Sequence, residues 1–239
     1  MNTSKATLTK HTDLTYNVFE LTFQTEDPAF EYQAGQFVTI KIPQPTNKPL
    51  IMRSYSISSK PTKGQFELCV KLMPEGKGSN YLNSLKPGEE IEFIGPVGHF
   101  TFKTDPDKRV LLIGTGTGLA PLKSILEEQL PNNPNQKFYL LFGVRHIKDL
   151  FYQDKLAALA AQHPNFTYTT TLSQPESPGW ETQGGAQGRV TAHLEKIPPK
   201  DLQNTNAYIC GLKDMVLQVQ EMLQQKGLPK EAVYFERFN

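Results

Sequence analysis

The first hundred residues alternate between apolar and polar positions in short runs, which is the pattern of β-strands that bury one face. Pro and Gly residues separate the runs, as turns between strands require. The predicted strands cover residues 18–23, 36–42, 54–58, 65–72 and 90–94, with one short helix at residues 80–85. Many short strands with little helix predict a closed or nearly closed antiparallel β-barrel.

Beyond residue 104 the pattern changes to apolar runs that alternate with amphipathic segments. The predicted strands cover residues 109–113, 137–144, 166–172, 207–210 and 232–235, and the predicted helices cover residues 121–129, 151–161, 191–195 and 213–225. On the last helix the apolar residues form one stripe, made of Met215, Val216, Val219, Met222 and Leu223. Apolar strands with helices between them predict a parallel sheet covered on both faces.

The two patterns meet at a polar turn, residues 104–108, whose sequence TDPDK suits a boundary between domains. A chain of 239 residues has room for two modest domains. We therefore expect an antiparallel β-barrel at residues 1–104 and a parallel-sheet α/β domain at residues 105–239. A long loop rich in Gly, Pro and Gln, residues 173–188, surrounds Trp180.

Composition narrows the classes of partner. The 38% of hydrophobic residues fit a packed core, and a net charge of +1 gives no reason to expect nucleic acid or an anionic membrane. Two cysteines, Cys69 and Cys210, are too few for a four-cysteine iron–sulfur or zinc site, and we expect no metal. No run reaches the roughly 20 apolar residues of a membrane span. Residues 1–17 hold no apolar leader segment, so a cytoplasmic, reducing location is expected.

A glycine-rich turn follows the apolar strand, since residues 114–121 read GTGTGLAP. Backbone N–H groups at such a strand-to-helix turn bind a pyrophosphate well, and glycines keep Cβ atoms out of the ligand's path. Pro121 fits the first position of a helix. The spacing differs from the dinucleotide fingerprint because Leu119 replaces the third glycine, and because residues 143–145, GVR, end the second strand without an acid. A tight turn that binds no ligand is the alternative.

A second polar segment, residues 53–56 with the sequence RSYS, lies at the start of a predicted strand. Side chains alternate along a strand, so Arg53 and Tyr55 share one face while Ser54 and Ser56 share the other. An arginine and an aromatic ring on one face can bind a phosphate and stack against a flat ring. A polar outer face of the barrel is the alternative.

A third segment, residues 75–80, reads EGKGSN and places two glycines and a serine at the start of the short helix. This arrangement makes a second nest of N–H groups for an anion. A plain turn is the alternative.

The chain contains R-x-Y-S at residues 53–56, followed by five further motifs: G-x-x-S at 76–79, G-P-x-G-x-F at 95–100, G-T-G-x-x-x-A-P at 114–121, C-G at 210–211 and E-x-aromatic at 236–238. This order resembles the ferredoxin–NADP reductase family, from about residue 5 to the last residue. The resemblance implies an antiparallel FAD-binding barrel. It also implies an α/β domain that binds NADP or NAD, with the strand order 3-2-1-4-5.

The resemblance assigns roles in FAD binding. It implies that Arg53 contacts the flavin phosphates, that Tyr55 stacks against the isoalloxazine ring, and that Ser56 hydrogen-bonds near flavin N5. The other residues implied in FAD binding, mostly around the pyrophosphate, are Val70, Gly76, Gly78 and Ser79.

For the nicotinamide nucleotide the resemblance implies contacts with Gly116 and Thr117, and places Cys210 and Glu236 beside the nicotinamide ring. Ser56, Cys210 and Glu236 are thus the candidate catalytic residues. Phe238 matches the terminal aromatic that covers the flavin's other face, although Asn239 follows it here. Phe238 either stacks on the flavin or turns away with the tail.

The choice between NADPH and NADH depends on cations near the adenosine. Arg145 and Arg189 stand where related NADP enzymes often carry arginines, whereas Ser173 is followed by Gln174 in place of a third arginine. We expect a slight preference for NADPH, with NADH as the alternative.

The resemblance implies a flavoprotein that passes electrons from NAD(P)H through FAD to a separate carrier, with ferredoxin or flavodoxin as the expected partner. The alternative is a reductase component of an oxygenase or hydroxylase, or a free-flavin reductase, because residues 141–152 are similar to oxygenase reductases as well. Those commonly carry a [2Fe–2S] domain, which this sequence lacks. A non-catalytic nucleotide-binding module is a second alternative, and the joint presence of Ser56, Cys210 and Glu236 argues against it.

Overall fold

The computed structural model describes residues 3–45, 48–103, 105–175 and 185–238. Thr104 at the predicted boundary, Trp180 in the predicted loop and the final residue Asn239 lie outside the described residues. The chain divides into two units, Met1–Phe102 with Lys123–Glu128, and Lys103–Leu122 with Gln129–Asn239.

The first unit is an antiparallel barrel, as predicted. Its elements are β1 (Ser4–Thr15), β2 (Val18–Thr25), β3 (Phe37–Ile42), β4 (Ile51–Ser56), β5 (Gln65–Lys71), α1 (Lys77–Ser84) and β6 (Glu90–Val97). The strands follow the order β4-β3-β6-β1-β2-β5. An antiparallel bridge between Ile57 and Leu68 joins the chain just beyond β4 to β5, and Ser58 N donates to Glu67 O at 2.8 Å, which closes the barrel.

Aromatic side chains fill the barrel. Phe66 stacks against Phe23 at 5.4 Å between ring centroids, and Phe30 meets Phe93 edge to face at 5.5 Å. Strand β1 is absent from the predicted elements because most of its residues are polar, and only Ala6 and Leu8 are buried.

Helix α1 begins three residues before its predicted start at residue 80. Gly76 and Gly78 argue against a helix by propensity. Gly76 is the N-cap residue, which lies just outside the helix, and only Gly78 stands in its first turn.

The second unit is a parallel sheet with helices, also as predicted. Its elements are β7 (Arg109–Thr115), α2 (Leu119–Asn132), β8 (Phe138–Val144), α3 (Gln153–Gln162), β9 (Phe166–Leu172), β10 (Ala186–Gln187), α4 (Val190–Lys196), α5 (Pro199–Leu202), β11 (Thr205–Leu212), α6 (Lys213–Gln225) and β12 (Val233–Phe238). The order β10-β9-β8-β7-β11-β12, with every pair parallel, confirms the expected order 3-2-1-4-5 and adds the short β10 at one edge.

Helix α6 buries the predicted apolar stripe. Val216, Val219 and Leu223 are fully buried in a cluster with side chains of the sheet, and Met215 and Met222 pack against the same cluster. No helix among the described residues is long and apolar enough to cross a bilayer.

Several element ends differ from prediction, and two of them bear on the site. Helix α2 begins at Leu119, so Pro121 lies at the third helical position and not at the first. The first four N–H groups of a helix have no partner within it, so a proline costs no hydrogen bond at either position. Strand β12 extends to Phe238, three residues beyond its predicted end, because the polar Glu236 and Arg237 hide the strand pattern.

Candidate functional site

In the barrel, the structure brings together Arg53, Tyr55 and Gly78. A Cβ atom added at Gly78 would meet Tyr55 Oη and would lie 2.9 Å from Arg53 Cγ, so the start of α1 packs directly on these two side chains. Arg53 is exposed, and its Nη1 donates to Met52 O at 2.8 Å. The aliphatic stem of Arg53 therefore lies beside the first turn of α1, whose N–H groups attract anions.

Burial raises the pKa of Tyr55 to about 12, although the positive charge of Arg53 acts in the opposite direction. The phenol is therefore neutral at physiological pH. Ser56 ends β4, opposite Phe37 in the sheet, and is 7% exposed.

Ser79 holds the turn before α1. Its Oγ accepts from Met73 N at 3.1 Å and donates to Gly76 O at 3.1 Å. Because the hydroxyl proton is committed to Gly76, the Ser79 side chain serves the shape of the turn, and donors to a phosphate would be backbone N–H groups. Gly76, Gly78 and Ser79, the residues predicted to bind the pyrophosphate, thus lie in one turn.

Asn80 is a residue of this turn that sequence reasoning missed. Its Nδ2 donates to Met73 O at 2.8 Å, to Gly76 O at 2.9 Å and to Pro74 O at 3.3 Å. The residue stands inside the predicted short helix, so no signal in its spacing indicated that it reaches back over the turn. Val70, by contrast, places its side chain in the barrel core, so a part in cofactor binding would use its backbone.

In the second unit, Cys210 and Glu236 lie side by side at the carboxyl end of the parallel sheet. Gly114 pairs with Cys210, and Cys210 pairs with Glu236, in one row across β7, β11 and β12. Ligands of parallel sheets bind at this edge. Burial raises the pKa of the Cys210 thiol well above its ordinary range, and the charge of Glu236 raises it further. Cys210 is therefore a neutral thiol.

The glycines of residues 114–118 have different tasks. Gly116 has a φ of +53° with no atom within 4 Å of an added Cβ, and Thr117 beside it is partly exposed, so this part of the turn is accessible. An added Cβ at Gly118 would instead meet the carbonyl oxygen of Cys210 and lie 2.8 Å from Gly211 Cα. Gly116 therefore fits the expectation that the glycines leave room for a ligand. Gly118 does not fit it, because its lack of a side chain lets the turn approach the backbone of β11 closely.

Arg145, Ser173 and Arg189 also meet at the carboxyl edge. Val144, Leu172 and Gln187 form one row across β8, β9 and β10, and the predicted residues follow that row. Both arginines are exposed.

Two histidines that sequence reasoning missed stand near these arginines. His146 Nδ1 lies 2.8 Å from Gln174 O, and His193 Nε2 lies 2.8 Å from Gln187 O. His193 belongs to α4 and reaches the end of β10 only through the fold, so no sequence spacing could have indicated it.

Phe238 is the last residue of β12, pairs with Leu212 and is partly buried. The chain therefore stays in the sheet through Phe238. Its stacking on a flavin stays a prediction.

Several features fit nucleotide ligands. The added Cβ at Gly78 would fill the space where Arg53 and Tyr55 meet the helix start, so that a bare backbone is needed there. In the second unit the buried Thr115 Oγ1, next to Gly116, has no hydrogen-bond partner among the described residues. Both places offer donors but no cluster of metal ligands, and the described residues hold no group of three or more His, Cys, Asp or Glu suited to a metal.

Comparison with known proteins gives matches over most of the chain. The model of an oxidoreductase FAD-binding domain matches residues 5–102, and that of an oxidoreductase NAD-binding domain matches residues 112–221. Ferredoxin–NADP reductase B of Sorangium cellulosum is 35% identical over 231 residues, which cover 93% of this chain and 92% of that protein.

Other relatives are longer. The electron transfer component of toluate 1,2-dioxygenase from Pseudomonas putida is 32% identical over 207 residues, covering 85% of this chain but only 58% of its own length. Among solved structures, a ferredoxin–NADP reductase of Neisseria gonorrhoeae with bound FAD and NADP has the same fold, with a TM-score of 0.84 at 21% identity over 99% of both chains.

Proposed function

Because the chain belongs to the ferredoxin–NADP reductase family of FAD-dependent NAD(P)H oxidoreductases, we propose that it passes electrons from NAD(P)H through FAD to ferredoxin or flavodoxin. The observation that supports this most is the match to the Sorangium reductase over 92% of that protein's length. We further propose that residues 1–104 form the FAD-binding domain and that residues 105–239 form the NAD(P)-binding domain. We also propose that the protein is located in the cytoplasm.

On the flavin side, Arg53 binds the phosphates with its guanidinium, the Tyr55 ring stacks on the isoalloxazine, and backbone N–H groups of residues 76–79 bind the pyrophosphate. FAD, when bound, supplies the redox chemistry, since it accepts a hydride and releases the two electrons singly. Ser56 would donate a hydrogen bond near N5 of a bound flavin and would there stabilise negative charge on the reduced ring. Its burial at the strand end supports this role because a buried donor acts in a lower dielectric.

On the nicotinamide side, Gly116 and Thr117 bind the nucleotide with their backbone. Cys210 and Glu236 border the ring. The neutral thiol of Cys210 adds no charge there, while the carboxylate of Glu236 stabilises the positive charge that forms on a nicotinamide ring as the hydride leaves. Phe238 would cover the bound flavin, and its movement away from the ring would then admit the nicotinamide and gate turnover.

Arg145 and Arg189 favour NADPH slightly, because both are exposed cations near the same sheet edge and can bind a 2′-phosphate. Ser173 at the end of β9 donates to the same phosphate or to the ribose. The missing third arginine after Ser173 leaves NADH as the competing donor.

A panel of electron acceptors tests the proposal. The purified FAD-loaded protein receives NADPH or NADH, with a plant-type ferredoxin, a flavodoxin or free FMN as acceptor. We expect reduction of ferredoxin or flavodoxin to exceed reduction of free FMN at equal concentration. NAD(P)H oxidation with neither protein reduced would contradict the proposed partner.

A second candidate is the reductase component of an oxygenase. The identity of 32% with the toluate dioxygenase component supports it. A Rieske-type ferredoxin in the same panel separates the two, because an oxygenase reductase would reduce it faster than the plant-type ferredoxin.

A further inference from the structure

Lys123 is a buried cation in the first unit, with its side chain 2% exposed. Its Nζ donates to Ser58 O at 2.9 Å and lies 3.0 Å from Glu127 Oε1 and 3.5 Å from Glu67 Oε2. Burying an ammonium group is costly unless its charge is paired and its protons are bound. The three acceptors around Lys123 satisfy its three N–H donors, so the group fixes one geometry among them.

The carbonyl that Lys123 binds belongs to residues 57–60, the segment that directly follows Ser56. Ile57 N donates to Gln36 O at 2.9 Å, and Ser58 N donates to Glu67 O at 2.8 Å. These bonds hold the amide side of the segment. The carbonyl of Ser58 faces Lys123, so the peptide after Ser58 is held by a charged donor.

The next residue of the segment, Ser59, is held in the same way. Its carbonyl accepts from Ser124 Oγ, its hydroxyl lies 2.7 Å from Tyr32 Oη, and its Oγ also accepts from Glu67 N at 3.0 Å. Helix α2 thus provides two consecutive side chains, Lys123 and Ser124, that bind two consecutive carbonyls of the segment. These two hydrogen bonds hold the backbone of residues 58 and 59, directly after Ser56, in one conformation.

The charges make Lys123 the centre of the group. Two carboxylates, Glu67 and Glu127, approach its single ammonium. Without the ammonium the two carboxylates would repel each other, and the Ser58 carbonyl would lose its charged donor. A buried ion pair can fix a defined geometry, and here that geometry is that of the residues adjoining Ser56.

We propose that Lys123 is a positioning residue for the flavin site, which sets the place of Ser56 by binding the Ser58 carbonyl. The inference rests on the proposed role of Ser56 at flavin N5. It adds Lys123, a residue of α2 whose side chain is buried, to the residues that shape the proposed flavin site.

The test compares Lys123→Met, which keeps the length of the side chain without its charge, with Lys123→Arg, which keeps the charge. Three readouts are used: amide hydrogen exchange of Ser58 and Glu67 in the apoprotein, the dissociation constant for FAD, and the reduction potential of the FAD-saturated protein. In Lys123→Met we expect faster exchange at both amides, FAD binding weakened about tenfold or more, and a shifted potential. Lys123→Arg keeps FAD binding within about threefold of wild type.

Ser124→Ala is the second variant, because it removes only the hydroxyl that donates to the Ser59 carbonyl. It tests the proposal if Lys123→Met does not fold. We expect it to change the same three readouts in the same direction by a smaller amount. Either variant with wild-type exchange, FAD affinity and potential overturns the proposal. Loss of stability with an unchanged potential in the FAD-saturated protein also overturns it, because a merely structural role would produce that result.

The proposed function fails separately. If the wild-type protein binds FAD but neither NADPH nor NADH reduces it, the proposed function is wrong, while hydrogen exchange and FAD affinity still decide the role of Lys123.

Discussion

Replacing Gly78 with alanine perturbs the flavin site at its tightest contact. The new Cβ would meet Tyr55 Oη and lie 2.9 Å from Arg53 Cγ and 3.2 Å from Arg53 Cβ. The phenol can move aside, but Arg53 Cβ and Cγ adjoin the backbone of β4. Either α1 or the stem of Arg53 must therefore shift, and either change would disturb the proposed phosphate contact of Arg53 and the proposed ring contact of Tyr55.

The magnitude follows from the two contacts at risk. A charge-assisted hydrogen bond contributes about 1.5–3 kcal/mol, and an aromatic stacking contact contributes about 0.5–1.5 kcal/mol. Loss of most of both gives about 2–4 kcal/mol, which raises the dissociation constant for FAD roughly 30- to 700-fold. Alanine favours helix over glycine by about 1 kcal/mol, while the close contact costs about 1–3 kcal/mol, so we expect the free energy of unfolding of the apoprotein to fall by no more than about 2 kcal/mol.

The assay is a fluorescence titration of FAD into apoprotein, with urea unfolding of the same samples. The matched control is Ser84→Ala at the far end of α1, where the exposed hydroxyl only donates to Tyr81 O at 2.8 Å. We expect the control to bind FAD as wild type does. Wild-type affinity in Gly78→Ala would refute the reasoning, because it would mean that the Arg53–Tyr55–Gly78 contact does not hold the cofactor.

Three further predictions concern the second unit. In Gly118→Ala the added Cβ would lie 2.6 Å from the carbonyl carbon of Cys210, so we expect the free energy of unfolding to fall by about 1–3 kcal/mol; an unchanged urea midpoint would count against this. The raised pKa of the Cys210 thiol means that the folded state keeps a proton which the unfolded chain loses, so stability falls as pH rises above the ordinary thiol range. Urea unfolding over alkaline pH should show a shallower fall in Cys210→Ala, and equal slopes would disprove the assignment. Arg189→Ala should weaken NADPH binding about tenfold or more and NADH binding by less than about twofold, as calorimetry can measure; equal losses for both nucleotides would exclude a 2′-phosphate contact.

The architecture could be predicted from the sequence because apolar and polar residues alternate in short runs in the first half, whereas strands and amphipathic helices alternate in the second half. The apolar strands β7 and β8 and the threonine-rich β9 are separated by helices α2 and α3, and this alternation of strands and helices predicts a parallel sheet. Strand β1 could not be predicted, since its twelve residues bury few side chains and its stability comes from pairing with β2 and β6. The predicted start of α1 was late because Gly78 in its first turn disfavours a helix by propensity. The predicted start of α2 was late because a proline fits the third helical position as well as the first.

The site could be predicted in part. Motif order indicated Arg53, Tyr55 and Gly78, and the structure brings these three together. The packing task of Gly118 could not be read from spacing, because it depends on the backbone of β11 passing beside the turn. In the sequence, Lys123 cannot be distinguished from an exposed lysine on a helix. The structure shows that its side chain is buried and lies near the carboxylates of Glu67 and Glu127.

The most direct test of the central claim is an anaerobic absorption titration of the purified protein with NADPH and then, in a separate sample, with NADH. The account predicts a yellow protein with the visible bands of oxidised flavin, which bleach on addition of one equivalent of nicotinamide nucleotide, faster with NADPH. A colourless protein that takes up no added FAD, or a bound flavin that neither nucleotide bleaches, would contradict it.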